Sequence, residues 1–487
     1  MDMRVSGHID VGALMDEVLL LRAAASEESM FSGLAEVGPG VANLGHYLAL
    51  RHRDLRGVQR QLMPLGLSSL GRMESRVLPT LDAVLGALGA LSGRISPYAV
   101  PDASTYFAGE TRLAEATDRL FGAPAEHRRG RIMVTLPGEA AEDAAFILDL
   151  AQSGMDCARI NCAHDDADQW RKMANHVRAA GQAVGRDIRV LMDIAGPKIR
   201  TGVVEAFRKG RIEVGDRIRL VADGKPRPDE DVPFSAAVSL SEIVTRLSVG
   251  DRVRYDDGKL EGVVESTAGH EAVLRVIHTK AGGAKLKAEK GLNLPDTELD
   301  LSPLTVKDDA DLAAVLECAD MLGYSFVSRP EDIDLLDEAL ARHGERQRPL
   351  GLIAKIEQPR AVRNLPVLIE RATRGGRPFG VMIARGDLAA EIGFERVAEM
   401  QEEILWICEA AGVPAIWATQ VLEDLVKDGL PSRGEMTDAA MAARAECVML
   451  NKGPAVGEAV ALLDRLLARM DGHVFKKTAT LRALQSW

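Results

Sequence analysis

The stretch LIAKIE at residues 352–357 is decisive for the fold, because it is a short hydrophobic run that ends in a lysine and a glutamate. Seven further short hydrophobic runs lie between residues 131 and 451. They are RIMVTL (131–136), CARINC (157–162), VLMDI (190–194), YSFV (324–327), VMIA (381–384), AIWAT (415–419) and CVMLN (447–451). Buried strands that alternate with helices are typical of a parallel sheet, and eight of them predict a closed barrel.

The rest of the chain is arranged around this barrel. Residues 1–128 show helical periodicity and no strand pattern, which predicts an α-helical N-terminal extension. Residues 203–290 carry short alternating strands separated by Gly, Asp and Pro, which predict a small all-β domain inserted as a lid. The barrel then takes residues 129–202 and 291–487. The predicted fold is an α/β (β/α)8 TIM barrel with an inserted all-β lid domain and a helical extension.

Composition excludes several classes of function. The 487 residues carry a formal net charge of -12, which argues against a nucleic-acid partner. No apolar run is long enough to span a bilayer and the N-terminus lacks a signal-peptide cleavage site, so we expect no membrane partner. The five cysteines show no metal-ligand spacing and are expected to be reduced core thiols. We therefore expect a cytoplasmic protein, and we expect it to form a homo-oligomer.

Charged residues follow the fifth and sixth predicted strands. Glu357 ends the fifth strand and Asp387 follows the sixth, so both carboxylates are expected at the carboxyl-terminal edge of the barrel. Such a pair can share a hard divalent cation and leave positions open for substrate oxygens; a salt bridge to a barrel lysine is the alternative. Lys355 shares the face of Glu357 by strand alternation. It can neutralise a transferring phosphoryl group or form a simple ion pair with Glu357.

Three other strands add polar groups to the same edge. Arg159 and Asn161 lie on the second strand, Asp193 on the third and Thr419 on the seventh. An arginine at a barrel mouth suggests a bound carboxylate or phosphate, because its planar fork binds such groups with two hydrogen bonds. Thr419 is a weaker candidate, since strand threonines often satisfy backbone groups.

In order and spacing, these segments resemble the pyruvate kinase family. The matching segments are GMDCARINCAH, MDIAGPKIRTG, GLNLP, YSFV, LIAKIEQ, VMIARGDLAAEI, IWATQVLE and PSRGEMTDAA, which together span about residues 130–470. The resemblance implies a glycolytic enzyme that transfers a phosphoryl group from phosphoenolpyruvate to ADP and forms pyruvate and ATP. It also implies dependence on a divalent metal, Mg²⁺ or Mn²⁺. Phosphoryl transfer relies on charge neutralisation and alignment, as these charged strand ends suggest.

The resemblance also implies roles for single residues. Lys355 would stabilise the phosphoryl group in transfer, and Glu357 and Asp387 would hold the divalent ion. The implied catalytic residues are Lys355, Arg159 and Thr419. The implied substrate-binding residues are Arg159, Gly386, Asp387 and Thr419, and the implied nucleotide-binding residues are Arg200 and His164.

One departure from the family concerns its potassium site. Asn161 and Asp193 match two of the potassium ligands, but Ala163, Ile194 and Lys198 replace a serine, a threonine and a nearby glutamate. We interpret the Lys198 ammonium group as a substitute for the lost cation. The expected activity is therefore independent of potassium.

Other departures leave alternative functions open. The first strand ends in the segment TLPG (135–138), and Ala389 replaces a glycine. Lys452 adds a positive charge just after the eighth strand, at the barrel mouth. Lys452 is a candidate for binding nucleotide phosphate or another anion, and we expect the family's C-terminal domain to be lacking. The alternatives are a metal-dependent pyruvate-enolate lyase (an aldolase) on the same barrel, supported by the altered loops, and a non-catalytic metabolite-binding relative.

Overall fold

The computed structural model describes residues 9–31, 38–256, 258–297, 299–344 and 349–479. Helices form the described part of the N-terminal extension, and α1 and α5 begin at the capping carboxylates of Asp10 and Asp102. The helices are α1 (Val11–Glu27), α2 (Pro39–Arg51), α3 (Arg56–Leu62), α4 (Val77–Ser92) and α5 (Ala103–Phe121). The Asn43 amide ties α2 to the rest of the chain by donating to the carbonyl oxygens of Glu74 and Ala410, at 2.7 and 2.8 Å.

Strands and helices then alternate up to residue 193, after which the chain enters a separate sheet. The first barrel elements are β1 (Arg131–Thr135), α6 (Ala144–Ser153), β2 (Cys157–Asn161), α7 (Ala167–Val184) and β3 (Arg189–Asp193). The second sheet comprises β4 (Thr201–Ala206), β5 (Arg217–Val221), β6 (Phe234–Val238), β7 (Arg252–Tyr255), β8 (Leu260–Ala268), β9 (Glu271–Thr279) and β10 (Leu292–Asn293), with α8 (Glu242–Arg246) between β6 and β7. This sheet has a hydrophobic core of its own, built around residues such as Ile218, Phe234 and Leu274.

The barrel elements resume after residue 305. They are α9 (Val306–Cys318), β11 (Met321–Tyr324), α10 (Pro330–His343), β12 (Gly351–Ile356), α11 (Pro359–Thr373), β13 (Phe379–Ala384), α12 (Arg385–Ile392), α13 (Phe394–Ala411), β14 (Ala415–Ala418), α14 (Glu423–Asp428), α15 (Arg433–Ala442), β15 (Cys447–Leu450) and α16 (Val456–Asp471). A short hairpin follows, formed by β16 (Val474–Phe475) and β17 (Thr478–Ala479).

Eight parallel strands close the barrel in the order β1-β15-β14-β13-β12-β11-β3-β2. The predicted fold class is thereby confirmed. The carboxyl-terminal ends of the strands, which carry the candidate site residues, meet at one mouth. No helix among the described residues is long and apolar enough to cross a membrane. The five cysteines are free and buried.

The predicted position of the fourth barrel strand is wrong by three residues. The strand is Met321–Tyr324, and residues 325–327 of the YSFV run lie beyond its end. Gly323 fixes the register, because its carbonyl accepts the Ile194 amide at 3.1 Å and a Cβ at Gly323 would lie 2.9 Å from Asp193 Oδ1. Phe326, with φ of 59°, ends the extended conformation. The strand was missed because its first residues, MLG, are not β-branched.

The end of α5 closes the barrel at the mouth opposite the candidate site. Leu120 and Phe121 belong to the same buried cluster as the residues that point into the barrel, including Cys157. A Cβ at Gly351 or at Gly380 would come within 2.6 Å of the Leu120 side chain, so glycine at the start of β12 and β13 makes room for it. The extension therefore contributes to the barrel core.

Candidate active site

Asp193 is the centre of the charged cluster at the barrel mouth. Its side chain is 1% exposed, and its Oδ2 accepts from Arg159 Nη2 at 2.5 Å and from Nε at 2.8 Å. Lys355 Nζ lies 3.3 Å from the other oxygen, Oδ1. Burial alone would raise the pKa of Asp193, but Lys355 and Arg159 outweigh it and hold that pKa below its usual value. Asp193 is thus an anion that positions two cations brought from β2 and β12.

Lys355 lies within hydrogen-bonding distance of three other residues of the cluster. Besides Asp193, its ammonium contacts Glu357 Oε1 at 2.8 Å and Ser325 Oγ at 2.7 Å. Burial opposes its charge, but Asp193 and Glu357 together raise the pKa of Lys355 above its usual value. The lysine is therefore a buried cation. The ion pair with Glu357 that the sequence left open is present in the structure, and it accompanies the wider cluster.

Ser325 is a site residue that the sequence reasoning missed. Its hydroxyl accepts from Lys355 and donates to the Ile194 carbonyl at 2.7 Å. Ser325 was missed because the whole YSFV run was interpreted as a buried strand, whereas the strand ends at Tyr324. A serine inside a hydrophobic run was the available signal.

Glu357 and Asp387 form a carboxylate pair next to this cluster. Glu357 Oε2 accepts from the backbone amide of Phe326 at 2.9 Å. Burial raises the pKa of Glu357; Lys355 opposes that rise, and the charge of Asp387 adds to it. No group of three or more His, Cys, Asp or Glu suited to a metal occurs among the described residues. A pair of carboxylates fits a hard divalent ion that takes its remaining ligands from substrate oxygens and water.

Lys198 lies at Asp387, which was predicted to bind the metal, and not at Asn161 and Asp193, which were interpreted as the remnant of a potassium site. Its Nζ is 2.7 Å from Asp387 Oδ1. Asn161 Oδ1 instead accepts from the backbone amide of Ala163 at 3.2 Å, and Asp193 is held by Arg159 and Lys355. The structure therefore does not bring Lys198 together with Asn161 and Asp193 in direct contact.

Thr419 and Gly386 are brought together on the far side of the mouth. Thr419 Oγ1 accepts from the Gly386 amide at 2.9 Å, and Thr419 has a left-handed φ of 65°. Arg385 holds this turn, because it donates to the carbonyls of Ala418 and Thr419 at 3.0 and 2.6 Å and pairs with Asp438. Arg385 was not predicted, although it lies within the ARGDL segment.

Arg200 directly precedes β4 of the second sheet, and His164 lies just after β2 of the barrel. Arg200 Nη1 donates to the Glu289 carbonyl at 3.1 Å, in the segment that leads back from the sheet to the barrel. Burial lowers the pKa of His164, and the positive charges of Lys452 and Arg200 lower it further. The imidazole is therefore neutral near pH 7, and two cations act on it.

Two hydrogen bonds join the second sheet to α12. Asn293 Nδ2 donates to Glu391 Oε1 at 2.9 Å, and Arg254 Nη1 donates to the Ala390 carbonyl at 2.8 Å. Burial raises the pKa of Glu391 to about 7, with a further contribution from Asp387. Asn293 and Glu391 were not predicted as site residues, although both lie in the matching segments quoted above.

Comparison with known proteins assigns these features to a family. A family model described as the barrel domain of pyruvate kinase matches residues 127–460. The chain belongs to the pyruvate kinase family. It is 33% identical over 356 residues to a pyruvate kinase of Mycobacterium intracellulare, with 71% of each chain covered. It is 34% identical over 359 residues to that of Agrobacterium vitis, with 72% of this chain and 71% of the relative covered. A crystal structure of a pyruvate kinase from Cryptosporidium parvum matches with a TM-score of 0.62 and 26% identity, over 73% of each chain.

This membership confirms the family and the type of enzyme predicted from the motifs. Proteins of this family are phosphotransferases, so the chain is a pyruvate kinase-type phosphotransferase. The family implies dependence on a divalent metal and the substrates phosphoenolpyruvate and ADP. Helices α1 to α5 precede the matched residues and are therefore outside the family match.

Proposed function

We propose that the barrel mouth of this chain transfers a phosphoryl group from phosphoenolpyruvate to ADP, as the pyruvate kinase step of glycolysis. The supporting observation is that Lys355 and Arg159 both contact the buried carboxylate of Asp193, beside Glu357 and Asp387. Two fixed cations next to a carboxylate pair that can hold a metal supply the charge neutralisation on which phosphoryl transfer depends.

Asp193 acts through the two cations that it holds. It orients the Arg159 guanidinium, whose Nη1 donates to Thr135 Oγ1 at 3.1 Å, so that the group can bind the phosphoryl oxygens. It also helps to keep Lys355 charged for neutralising the phosphoryl group in transfer. Glu357 and Asp387 would hold the divalent ion, Mg²⁺ or Mn²⁺, which supplies further positive charge at the substrate oxygens when bound.

Thr419 is placed to act at the enolate that remains after transfer. Its Oγ1 accepts from the Gly386 amide, so its own proton is free to be donated elsewhere. We assign Gly386, Asp387 and Thr419 to the phosphoenolpyruvate side of the mouth. Arg200 and the neutral His164 are assigned to the ADP side, where a guanidinium can bind phosphate oxygens.

The positions of the cations support the proposed independence from potassium. Arg159 and Lys355 neutralise Asp193, the one acid of the potassium-site remnant, and Lys198 adds a positive charge at Asp387. Protein cations therefore provide the positive charge that a bound potassium ion would otherwise contribute. The mouth is proposed to work without a monovalent ion.

A coupled assay of pyruvate formation tests the proposal directly. With phosphoenolpyruvate, ADP and Mg²⁺ we expect turnover in the absence of potassium, and loss of turnover in Lys355→Met. Pyruvate release from a hydroxy-keto acid without ADP would favour the lyase. Ligand binding without any turnover would favour the non-catalytic relative.

We also propose the division of the chain into an extension (1–128), two barrel segments (129–202 and 291–487) and a lid (203–290). Each part is expected to resist limited proteolysis as a unit. A cytoplasmic location, a homo-oligomeric state and the lack of a nucleic-acid partner belong to the same proposal. Light scattering on the purified chain measures the oligomeric state.

A further inference from the structure

A cavity of about 590 Å³ lies where the N-terminal extension meets the barrel, at the end away from the candidate active site. One wall comes from the start of α2 and from α5, and the other from residues that lead into β13 and β14. Phe379 opens β13 and Val413 precedes β14, which places the cavity at the amino-terminal ends of these strands. The size is within the range of small-molecule sites.

Arginines dominate the charge of this cavity. Its charged lining residues are Arg112, Glu115, Arg119, Glu370, Arg374 and Arg377. Arg374 pairs with Glu370 at 2.6 Å, and Arg377 pairs with Asp337, which does not line the cavity. Arg112 and Arg119 are therefore left with Glu115 as the only acid of the lining that is not already paired. The walls carry an excess of positive charge.

Arg112 and Arg119 form no hydrogen bond or ion pair within the described residues, although the charge of Glu115 acts on Arg112. Both project from α5, two turns apart. The Nε of Arg112 is buried without a hydrogen-bond acceptor, and burial lowers the pKa of this arginine. A buried donor without an acceptor is costly. An oxygen atom of a bound anion would supply the acceptor for the Arg112 Nε–H.

We propose that this cavity binds a small organic phosphate through Arg112 and Arg119. Guanidinium groups bind phosphate oxygens with two parallel hydrogen bonds, which makes arginine well suited to such ligands. The α2 helix begins at Pro39 on the opposite wall without a side-chain cap, and the positive end of its dipole adds to the attraction. The site is separate from the phosphoryl-transfer site and does not depend on its assignment.

Such a ligand would connect the extension to the catalytic barrel. It would touch α5, whose end fills the barrel floor with Leu120, and the starts of β13 and β14. At the other mouth, Thr419 directly follows β14, and Asp387 lies in α12, which begins where β13 ends. Binding should stabilise the docked extension, since a ligand that binds only the folded state raises its stability.

Calorimetric titration of the full-length, metal-free protein with inorganic pyrophosphate tests the site. We expect saturable binding and a higher melting temperature, with affinity reduced at least about tenfold in Arg112→Ala/Arg119→Ala. Arg119→Glu, a change of an exposed side chain that should not impair folding, should weaken binding as well. Arg396→Ala, which removes an exposed arginine away from the cavity, should leave binding unchanged.

Lys355→Met separates this site from the catalytic one, because it alters the barrel mouth and leaves the cavity intact. Its affinity for pyrophosphate should equal that of the unmodified chain. The proposal is overturned if pyrophosphate does not bind, if the Arg119→Glu protein binds it with unchanged affinity, or if Lys355→Met abolishes binding.

Discussion

The ammonium nitrogen of Lys198 lies 2.7 Å from Oδ1 of Asp387. A lysine thus forms an ion pair with a carboxylate that we propose as a ligand of the divalent metal. The two residues are 189 positions apart in the chain, and the contact joins the segment after β3 to the start of α12. A divalent ion at Asp387 would be bound next to this positive charge. The charge should therefore weaken metal binding in the absence of substrate.

Replacing Lys198 with methionine should tighten the binding of Mn²⁺ to the substrate-free protein. Removal of one positive charge at this distance should strengthen affinity by about three- to tenfold, since the site is partly open to water. Electron paramagnetic resonance of free Mn²⁺ measures the effect. Lys427→Met, which removes an exposed lysine paired with Glu423, is the control, and weaker Mn²⁺ binding by Lys198→Met would contradict the assignment.

Restoring a glutamate with Lys198→Glu should create a requirement for potassium. The substitution removes the cation and adds an acid beside Asp387, so this carboxylate lacks a neighbouring positive charge unless a monovalent ion supplies it. Turnover should rise with added potassium chloride in the variant and stay constant in the unmodified chain. Tetramethylammonium chloride controls for ionic strength, and equal stimulation by both salts would count against the idea.

Lys355→Met should lower kcat by about 10²- to 10³-fold, because a fixed charge that stabilises the transition state is lost. The variant also leaves Asp193 and Glu357 without their shared cation, so its melting temperature should fall. Steady-state assays and thermal unfolding measure the two effects. The surface variant Lys427→Met should show neither, and near-normal kcat in Lys355→Met would refute the role given to this lysine.

Glu391 should make stability depend on pH. Its pKa is about 7 in the folded protein, against about 4.3 in an unfolded chain. Between these values the folded protein binds a proton that the unfolded chain has released, so stability falls as pH rises to about 7 and this contribution is constant above it. Glu391→Gln should be more stable than the parent at pH 8 by about 3 to 4 kcal/mol and similar at pH 4.5.

Urea unfolding at several pH values measures this difference. Glu409, whose pKa burial also raises to about 7, is unchanged in the variant, so part of the pH dependence should persist. Glu399→Gln, at an exposed position on α13, is the matched control. A constant difference between parent and Glu391→Gln at all pH values would show that Glu391 does not titrate in this window.

The sequence predicted those features that depend on neighbours in the chain. Hydrophobic runs such as LIAKIE identified seven of the eight barrel strands, and alternation placed Lys355 and Glu357 on one face, where they lie 2.8 Å apart. The fourth strand was misplaced because its position depends on pairing with β3 and β12 and not on β-branched residues.

Taken alone, the sequence determined the barrel, its family and the edge at which charged residues gather. These features depend on hydrophobic periodicity and motif spacing, which can be read from short stretches of the chain. Only the tertiary structure showed that Lys198 binds Asp387, that Leu120 fills the barrel floor and that Arg112 and Arg119 line a cavity. These contacts join segments far apart in the chain. Their partners are set by how the strands, the second sheet and the helical extension pack, which no short stretch of sequence encodes.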